Sequence, residues 1–207
     1  NEVMNPYHMT MPGRFFIQKM LAQMVKNGCE YALVEVTSEG IKQYRHKFIN
    51  FFGAVFTNLA LEHLEAHGGF VNYRATKEKL FAAAAKNPNS FGVYNLDDKN
   101  VGEFLKYGIK NKFGYYFLTP NNPSDLMGQV SSKNKNIVLF EQAAEGGASR
   151  TMRISNVSLE PDGSEFEINS VKFKTNLLGE FNVYNCAAAV AVGQACAVSP
   201  ENAAQAL

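Results

Sequence analysis

The chain has 207 residues, which is enough for one large domain and too few for three. Apolar residues make up 46% and charged residues 19%, as is typical of a globular protein with a substantial core. The formal net charge of +1 gives no electrostatic footprint for a nucleic-acid backbone, so we expect no nucleic-acid partner.

The spacing of the cysteines and the lengths of the apolar stretches indicate which cellular compartment to expect for the protein. The three cysteines, Cys29, Cys186 and Cys196, lack any C-x-x-C spacing, so we expect buried small side chains, no disulfide framework and a cytoplasmic protein. The most apolar stretch, residues 186–192, is too short to span a bilayer, so we expect no membrane segment. Because the first residue is Asn1 rather than methionine, we expect a fragment of a longer protein.

The first half of the chain alternates between helical and extended patterns. Apolar residues at helical spacing predict helices, and short apolar runs rich in strand-forming residues predict strands between them. This alternation is typical of parallel strands covered by helices on both faces. The predicted helices are 14–27, 70–86 and 101–110, and the predicted strands are 31–36, 53–56, 91–95 and 115–118.

The pattern changes after Asn121. Strands are predicted at 137–142, 153–159 and 166–175 without helices between them, and Pro161-Asp162-Gly163 is typical of a hairpin turn. We therefore expect a smaller antiparallel β appendage at about 122–176, joined to an α/β domain with a mostly parallel P-loop-type sheet. Two further helices are predicted, at 181–196 and from Pro200 onward with Ser199 as its N-cap.

Polar side chains follow three of the predicted strands. They are Glu35 after the first, Thr57 and Asn58 with nearby His63 after the second, and the Asn95–Asp98 turn after the third. In open α/β sheets, ligands bind beyond the carboxyl ends of the strands. Taken singly, each signal is weak, because a lone acid there is more often a helix cap and a lone histidine is more often a packing or surface residue.

The order and spacing of several longer sequence strings are a more specific signal than any of these single residues. Over residues 9 to 207, they resemble the central domain of the Mur ligases, and EVTS followed by EHLEAHG points to the tripeptide-forming branch of that family. We therefore expect residues 1–207 to be such an ATP- and Mg²⁺-binding domain. The strings are MTMPGRFF at 9–16, VEVTSEG at 34–40, VFTNL at 55–59, EHLEAHG at 62–68, YRATKEKLF at 73–81, NLDD at 95–98 and LLGEFNVYN at 177–185.

The resemblance implies a magnesium site that also serves catalysis. Glu35 matches the family's strand-end magnesium ligand, His63 matches the histidine that helps to hold a second ion, and Lys77 matches the lysine that is carbamylated. Carbamylation turns a cationic side chain into an anionic oxygen ligand, the ligand type that magnesium prefers. Without the family, a solvated helix lysine is the better interpretation of Lys77, and that interpretation stands for Lys79.

The resemblance also implies a nucleotide site. Asn182 and Asn185 match the asparagines that lie near the adenine of ATP, and we expect Asn58 to line the same site. Helix capping remains open as an alternative role for Asn182.

Four positions match contacts with the UDP-sugar peptide, and Arg45 suits a diphosphate or carboxylate because its planar fork binds two oxygens. A solvated arginine beside Lys42 and His46 is the alternative interpretation. The sequence departs from the family at Met11, Thr37 and Glu39, and Glu39 places a negative charge near an anionic substrate. The four positions are Thr10, Thr37, Gln43 and Arg45.

The reaction implied by the resemblance joins a free amino acid to UDP-N-acetylmuramoyl-L-alanyl-D-glutamate with ATP and Mg²⁺, through an acyl phosphate. The amino acid would be lysine or diaminopimelate. The phosphate loop of the family and its C-terminal domain do not occur in the 207 residues, so we expect this polypeptide alone to be inactive. Two alternatives stay open: a related ligase of the folylpolyglutamate or cyanophycin synthetase type, and a non-catalytic nucleotide-binding remnant.

Overall fold

A computed structural model describes residues 10–60, 64–117, 135–143 and 149–207 of the chain. Within these ranges, the helices are α1 (Arg14–Lys26), α2 (Ser38–Lys42), α3 (Leu64–His67), α4 (Phe70–Ala84), α5 (Val101–Leu105), α6 (Lys135–Ala143), α7 (Glu180–Ala195) and α8 (Pro200–Ala206). The strands are β1 (Gly53–Phe56), β2 (Phe91–Asn95), β3 (Asn111–Phe117), β4 (Ser149–Glu160), β5 (Gly163–Ile168) and β6 (Val171–Thr175).

The described strands form one sheet in the order β1-β2-β3-β4-β5-β6. The strands from β1 to β4 are parallel, with Val55 beside Val93 and Val93 beside Phe113. β5 and β6 add to the edge of β4 in antiparallel fashion. All four parallel strands therefore end at the same edge of the sheet, where their loops can share one site.

Side chains that alternate along the strands build a core on each face of the sheet. On one face, Phe56 and Tyr94 pack with Phe81 of α4 and Phe104 of α5. On the other face, Val93, Tyr115 and Phe166 pack against the alanine-rich helix α7. Because both faces are covered, β2 is buried along its whole length.

The structure confirms the α/β class and most of the predicted elements. Helices α1, α4 and α7 and strands β1 and β2 lie where the sequence predicts them. The turn at Pro161 joins β4 to β5, and the Ser199 hydroxyl accepts the N–H of Asn202 at 3.2 Å as the predicted N-cap of α8.

Five predictions of secondary structure need correction. Residues 137–142 lie in helix α6 rather than in a strand, and the strand predicted at 31–36 does not form within the described part of the chain. The predicted strand 166–175 is two strands separated by Asn169 and Ser170, both of which have positive φ. The predicted helix 101–110 ends at Leu105, and β3 begins at Asn111, before the predicted start of that strand.

The physical reasons for these differences between the predicted and the observed elements are not the same. Leu139 and Phe140 of α6 pack into the core formed by β2, α4 and α5, and Asn136 donates to the carbonyl of Leu96 at 2.8 Å, so tertiary packing selects a helix there. The predicted strand at 31–36 is mostly exposed, with Leu33 at 93% exposure, and a strand requires a pairing partner. Leu118 of the predicted fourth strand lies outside the described residues.

Two expectations drawn from composition can be compared with the structure. All three cysteines are free thiols, and Cys186 is buried and Cys196 half-buried, but the prediction of a buried side chain is wrong for Cys29, which is exposed. Among the helices of the described ranges, none combines the length and apolar character needed to cross a bilayer.

His46 is a buried group whose protonation opposes folding. It is 8% exposed, and its Nδ1 has no hydrogen-bond partner among the described residues. Burial lowers the pKa of His46, and the positive charges of Lys47, Lys79 and Lys86 lower it further. The unfolded chain therefore binds a proton at a higher pH than the folded chain does.

We expect acid to destabilise the fold through this residue. As the pH falls below about 6.5, the unfolded state gains the proton first, so the free energy of unfolding decreases. Urea denaturation at about pH 7.5 and about pH 5 should show a smaller decrease for His46→Gln than for the wild type. Equal decreases in the two proteins would contradict this assignment.

Candidate functional site

A cleft of about 350 Å³ lies at the carboxyl edge of the parallel strands, where the chain leaves β1 and β2 and where α7 begins. Among the described residues, its walls carry amides, carboxylates and two aromatic rings, but neither lysine nor arginine. The lining residues are Thr57, Asn58, Asn95, Asp97, Asp98, Phe181, Tyr184 and Asn185.

The turn after β2 ties neighbouring strand ends together. The Asn95 Nδ2 donates to the carbonyl of Thr57 at 2.8 Å, and Asp98 Oδ2 accepts the N–H of Leu59 at 2.8 Å. The other carboxylate oxygen of Asp98 accepts both the backbone and the side-chain N–H of Asn100, which precedes α5. Side-chain hydrogen bonds thus join the segments that follow β1 and β2 after the pairing of the two strands ends, and they hold the floor of the cleft in place.

Asp97 links β3 to helix α7. Its Oδ2 accepts the N–H of Phe117 at 2.8 Å and the hydroxyl of Tyr184 at 2.9 Å. Although Asp97 keeps solvent contact on the cleft side, burial raises the pKa of its carboxyl group; the two donors oppose that shift, and the charge of Glu180 adds to it. Burial likewise raises the pKa of Tyr184, which keeps its hydroxyl a donor to Asp97.

The first two turns of α7 carry the asparagine pair, Asn182 and Asn185. Gly179, at its N-cap, has a φ of 88°, a conformation that favours glycine. Asn182 donates to the carbonyl of Leu178 at 2.9 Å, and Asn185 donates to Asn182 Oδ1 at 3.2 Å. Asn185 therefore lines the cleft together with Asn58, while Asn182 contacts Asn185 from one turn earlier and also braces the start of the helix.

The predicted metal ligands lie in a second region. Glu35 is exposed in the segment before α2, and α2 packs against α4, which carries Lys77. A series of contacts joins the two elements: Ser38 Oγ lies 3.2 Å from His67 Nε2, His67 lies 5.3 Å from the Tyr73 ring, and Lys77 Nζ lies 5.3 Å from the same ring.

His63 lies outside the described residues, so its place relative to Glu35 and Lys77 stays a prediction. Within the ranges that are described, no three His, Cys, Asp or Glu side chains come together as a metal site. An exposed carboxylate such as Glu35 does offer the oxygen that magnesium prefers, whereas an unmodified Lys77 offers a positive charge and could not bind a cation.

Three of the predicted substrate residues lie around the α2 turn. Thr37 is the N-cap of α2 and accepts the N–H of Gly40 at 3.0 Å. Arg45 donates to the Gln43 side chain from Nε at 3.0 Å, and its Nη1 donates to the carbonyl of Met11. Arg45 therefore already holds internal partners and is not simply solvated.

Met11, where the family commonly has threonine, is buried against Gly40, which has no side chain to occupy that space. The adjacent Thr10, the fourth predicted substrate contact, is exposed beside this turn. The structure thus groups the segments that carry all four predicted positions, although it does not show what they bind.

The sequence predicts that Asn58 and Asn185 line one site, but it does not predict several other residues that line the cleft. Phe181 and Tyr184 occur inside the FNVYN string, and Asp97 and Asp98 were recognised only as strand-end polar residues. For Asp97 and Asp98, the position directly after β2 was the signal that could have placed them at the cleft. The partner of Asp97 on α7 could not be found without the fold, because the two residues are far apart in the chain.

An open, mainly parallel sheet with helices on both faces defines an α/β protein, and its polar cleft lies beyond the strand ends, where proteins of this class usually bind their ligands. The family model of the Mur ligase middle domain matches residues 2–193 of this chain. The chain belongs to the Mur ligase family, as its sequence strings predicted.

Several relatives support this membership. A UDP-N-acetylmuramyl-tripeptide synthetase of Borreliella afzelii is 36% identical over 194 residues, which are 91% of this chain and 32% of the relative. A UDP-N-acetylmuramoyl-L-alanyl-D-glutamate–2,6-diaminopimelate ligase of Clostridium acetobutylicum is 32% identical over 189 residues, with the same coverage of 91% and 32%. The chain therefore spans about a third of the length of these relatives.

Solved structures share the fold. MurF from Acinetobacter baumannii superposes with a TM-score of 0.54 at 18% identity, covering 79% of this chain and 30% of that one. A pseudomurein peptide ligase type C from Methanothermus fervidus gives a TM-score of 0.51 at 18% identity, covering 83% and 36%.

The Asp97–Tyr184 contact gives a direct test of the cleft geometry. Tyr184→Phe removes a donor that stabilises the Asp97 carboxylate, so we expect the Asp97 pKa to rise further and the free energy of unfolding to fall by about 1–2 kcal/mol. Carbon-13 NMR titration of the aspartate carboxyl groups measures the first effect, and chemical denaturation measures the second. Tyr31→Phe, on the exposed segment, is the matched control, and an unshifted Asp97 in Tyr184→Phe would show that the contact is not formed.

Proposed function

We propose that this chain is the central domain of an ATP-dependent carbon–nitrogen ligase of cytoplasmic peptidoglycan-precursor synthesis. In the proposed reaction, the ligase adds the third amino acid, lysine or diaminopimelate, to UDP-N-acetylmuramoyl-L-alanyl-D-glutamate. The observation that carries the proposal is that Asn58 and Asn185, both expected to line the nucleotide site, lie in the walls of one cleft at the strand ends. The family membership and the names of the relatives support the same reaction class.

In the proposed reaction, the substrate carboxylate attacks the terminal phosphorus of ATP, which gives an acyl phosphate and ADP. The amine of the incoming amino acid then attacks the acyl carbon, inorganic phosphate leaves, and the amine loses a proton. Both steps bring anionic groups together, so positioning and charge neutralisation supply most of the catalysis. Bound Mg²⁺ supplies that neutralisation.

The residues of this chain have three roles in the proposal. Asn58 and Asn185, with Asn182 behind them, hold the nucleotide through amide groups that can both donate and accept. Glu35, His63 and carbamylated Lys77 hold the metal. The residues around the α2 turn, namely Thr10, Thr37, Gln43 and Arg45, face the UDP-sugar peptide.

The full-length protein that carries this chain provides the functional test. We expect ADP to form only when ATP, Mg²⁺, UDP-N-acetylmuramoyl-L-alanyl-D-glutamate and the correct amino acid are all present. A coupled ADP assay with each component omitted in turn measures this dependence. ADP release without the dipeptide substrate, or ligation to a folate instead, would contradict the proposal.

Lys77 and Lys79 form a matched pair on helix α4, because Lys77 is half-buried over the Tyr73 ring whereas Lys79 is exposed. In the full-length protein, we expect Lys77→Ala to lose at least roughly 100-fold in kcat, because an oxygen ligand of the metal is lost, a scale typical of a catalytic electrostatic group. Added bicarbonate should not restore this variant. Lys79→Ala should retain wild-type activity, and full activity in Lys77→Ala would remove Lys77 from the mechanism.

A further inference from the structure

We infer that Glu78 is a positioning residue for Lys77, because its carboxylate anchors the part of α4 that carries this lysine to α5 and the segment after it. This inference rests on the proposed function, which assigns Lys77 to the metal site, and it adds a residue to that function. Glu78 follows Lys77 directly in α4, and its side chain is only 13% exposed. A carboxylate that is largely withdrawn from water requires partners for its oxygens.

Each carboxylate oxygen of Glu78 has its own partner. Oε1 pairs with Arg74 Nε at 3.1 Å, one turn earlier in α4, and Oε2 accepts the hydroxyl of Tyr107 at 2.9 Å. Arg74 Nη2 also lies 3.7 Å from the carboxylate of Glu103 in α5. Burial raises the pKa of Tyr107 to about 12, and the bond to Glu78 is the next cause, so the hydroxyl stays a donor. These contacts connect α4 with α5 and with the segment that follows α5.

The N-terminal half of α4 depends on such contacts for its orientation. The helix begins after Gly68 and Gly69, which both have positive φ, and no side-chain hydrogen bond caps its first turn. Core packing of Tyr73 and Phe81 removes apolar surface from water, but it is not directional. The hydrogen bond and ion pairs made through Glu78 are directional, so they restrict rotation and sliding of the helix.

Lys77 lies on the neighbouring face of the same helix. Residues four apart in a helix lie on one face, so Tyr73 and Lys77 share a face, and Lys77 Nζ lies 5.3 Å from the Tyr73 ring. Arg74 and Glu78 share the next face in the same way. Because the two faces belong to one rigid helix, a rotation that separated Glu78 from Tyr107 would also displace Lys77.

Activity and stability differ in their sensitivity to such a displacement. A misplacement of about 1 Å at a reacting centre costs on the order of 100-fold in rate. An ion pair between residues four apart on a partly exposed helix face contributes little to stability. A positioning role for Glu78 therefore predicts a loss of activity in variants that still fold.

Kinetics of the full-length protein test this role. We expect Glu78→Ala to lower kcat roughly 10- to 100-fold and to leave KM for ATP and for the UDP-sugar dipeptide unchanged, because substrate contacts stay intact. Glu78→Gln, whose amide oxygen can still accept the Tyr107 hydroxyl, should recover most of this loss. The matched control is Glu165→Ala, which breaks the exposed pair with Lys174 on the antiparallel strands and should behave as the wild type does.

The carbamate on Lys77 gives a readout that a merely structural role would not change. When it forms, the amine nitrogen bonds to the carbon of CO₂, one C=O electron pair moves onto oxygen, and a proton of the nitrogen passes to water. Because this reaction is reversible, a lysine displaced from the metal should require more bicarbonate for the same carbamate. Carbon-13 NMR with labelled bicarbonate should show this shift for Glu78→Ala, and added bicarbonate should restore part of its kcat.

The outcomes separate this inference from the proposed function. If the wild type shows no carbamate signal that disappears in Lys77→Ala, the proposed role of Lys77 is wrong and the role of Glu78 fails with it. If the signal is present but Glu78→Ala equals the wild type in kcat and in bicarbonate dependence, Glu78 has no positioning role and the proposed function stands.

A second variant covers the case in which Glu78→Ala does not fold. Tyr107→Phe removes only the hydroxyl that donates to Glu78, so the ring and its packing are kept. Circular dichroism at the assay temperature should show the fold of the wild type. We expect a smaller decrease in kcat of the same kind, again with more bicarbonate needed for the carbamate. Wild-type kinetics and carbamate formation in Tyr107→Phe would overturn the inference.

Discussion

At the carboxyl edge of the parallel strands, polar side chains hydrogen-bond to backbone groups beyond the point where the pairing between strands ends. Where β1, β2 and β3 end, Asn95, Asp97 and Asp98 bond to backbone groups of the neighbouring strands. An unpaired backbone N–H that is buried is costly, so these bonds determine where each loop can leave the sheet. The cleft keeps its shape because its floor is hydrogen-bonded, and Asp97 extends the same restraint to helix α7.

That arrangement also affects the titration of a carboxyl group that lines the cleft. The pKa of Asp97 is raised mainly by burial, and two donors only partly compensate. A carboxyl group with a raised pKa that lines a cleft is more common at ligand sites than in structural loops, although ion-pair networks also produce it. Here, the same oxygen that accepts hydrogen bonds from β3 and α7 belongs to a carboxyl group that lines the cleft, so one side chain both supports the fold and contributes to the polar wall of the cleft.

Sequence reasoning succeeded where the signal was local or periodic and failed where the outcome depended on a distant partner. The 3.6-residue spacing around Phe81 predicted α4, and the Pro161–Gly163 turn predicted the hairpin. The run at 137–142 was ambiguous because a short apolar segment suits either a strand or a buried helix; packing of Phe140 into the core decided it. At the site, strand-end position predicted Asn58, whereas the roles of Asp97 and Tyr184 depend on a contact that only the fold brings about.

Strand β4 has two kinds of neighbour, with consequences for how the chain reaches this fold. Its first half pairs in parallel with β3, and its second half pairs with β5, which is close behind it in the sequence. Closing the short loops of the β4–β5–β6 meander costs little chain entropy, whereas each parallel pairing must first close a long crossover. We expect the meander to assemble early and to offer β4 as a preformed edge, on which β3, then β2, then β1 can dock in order.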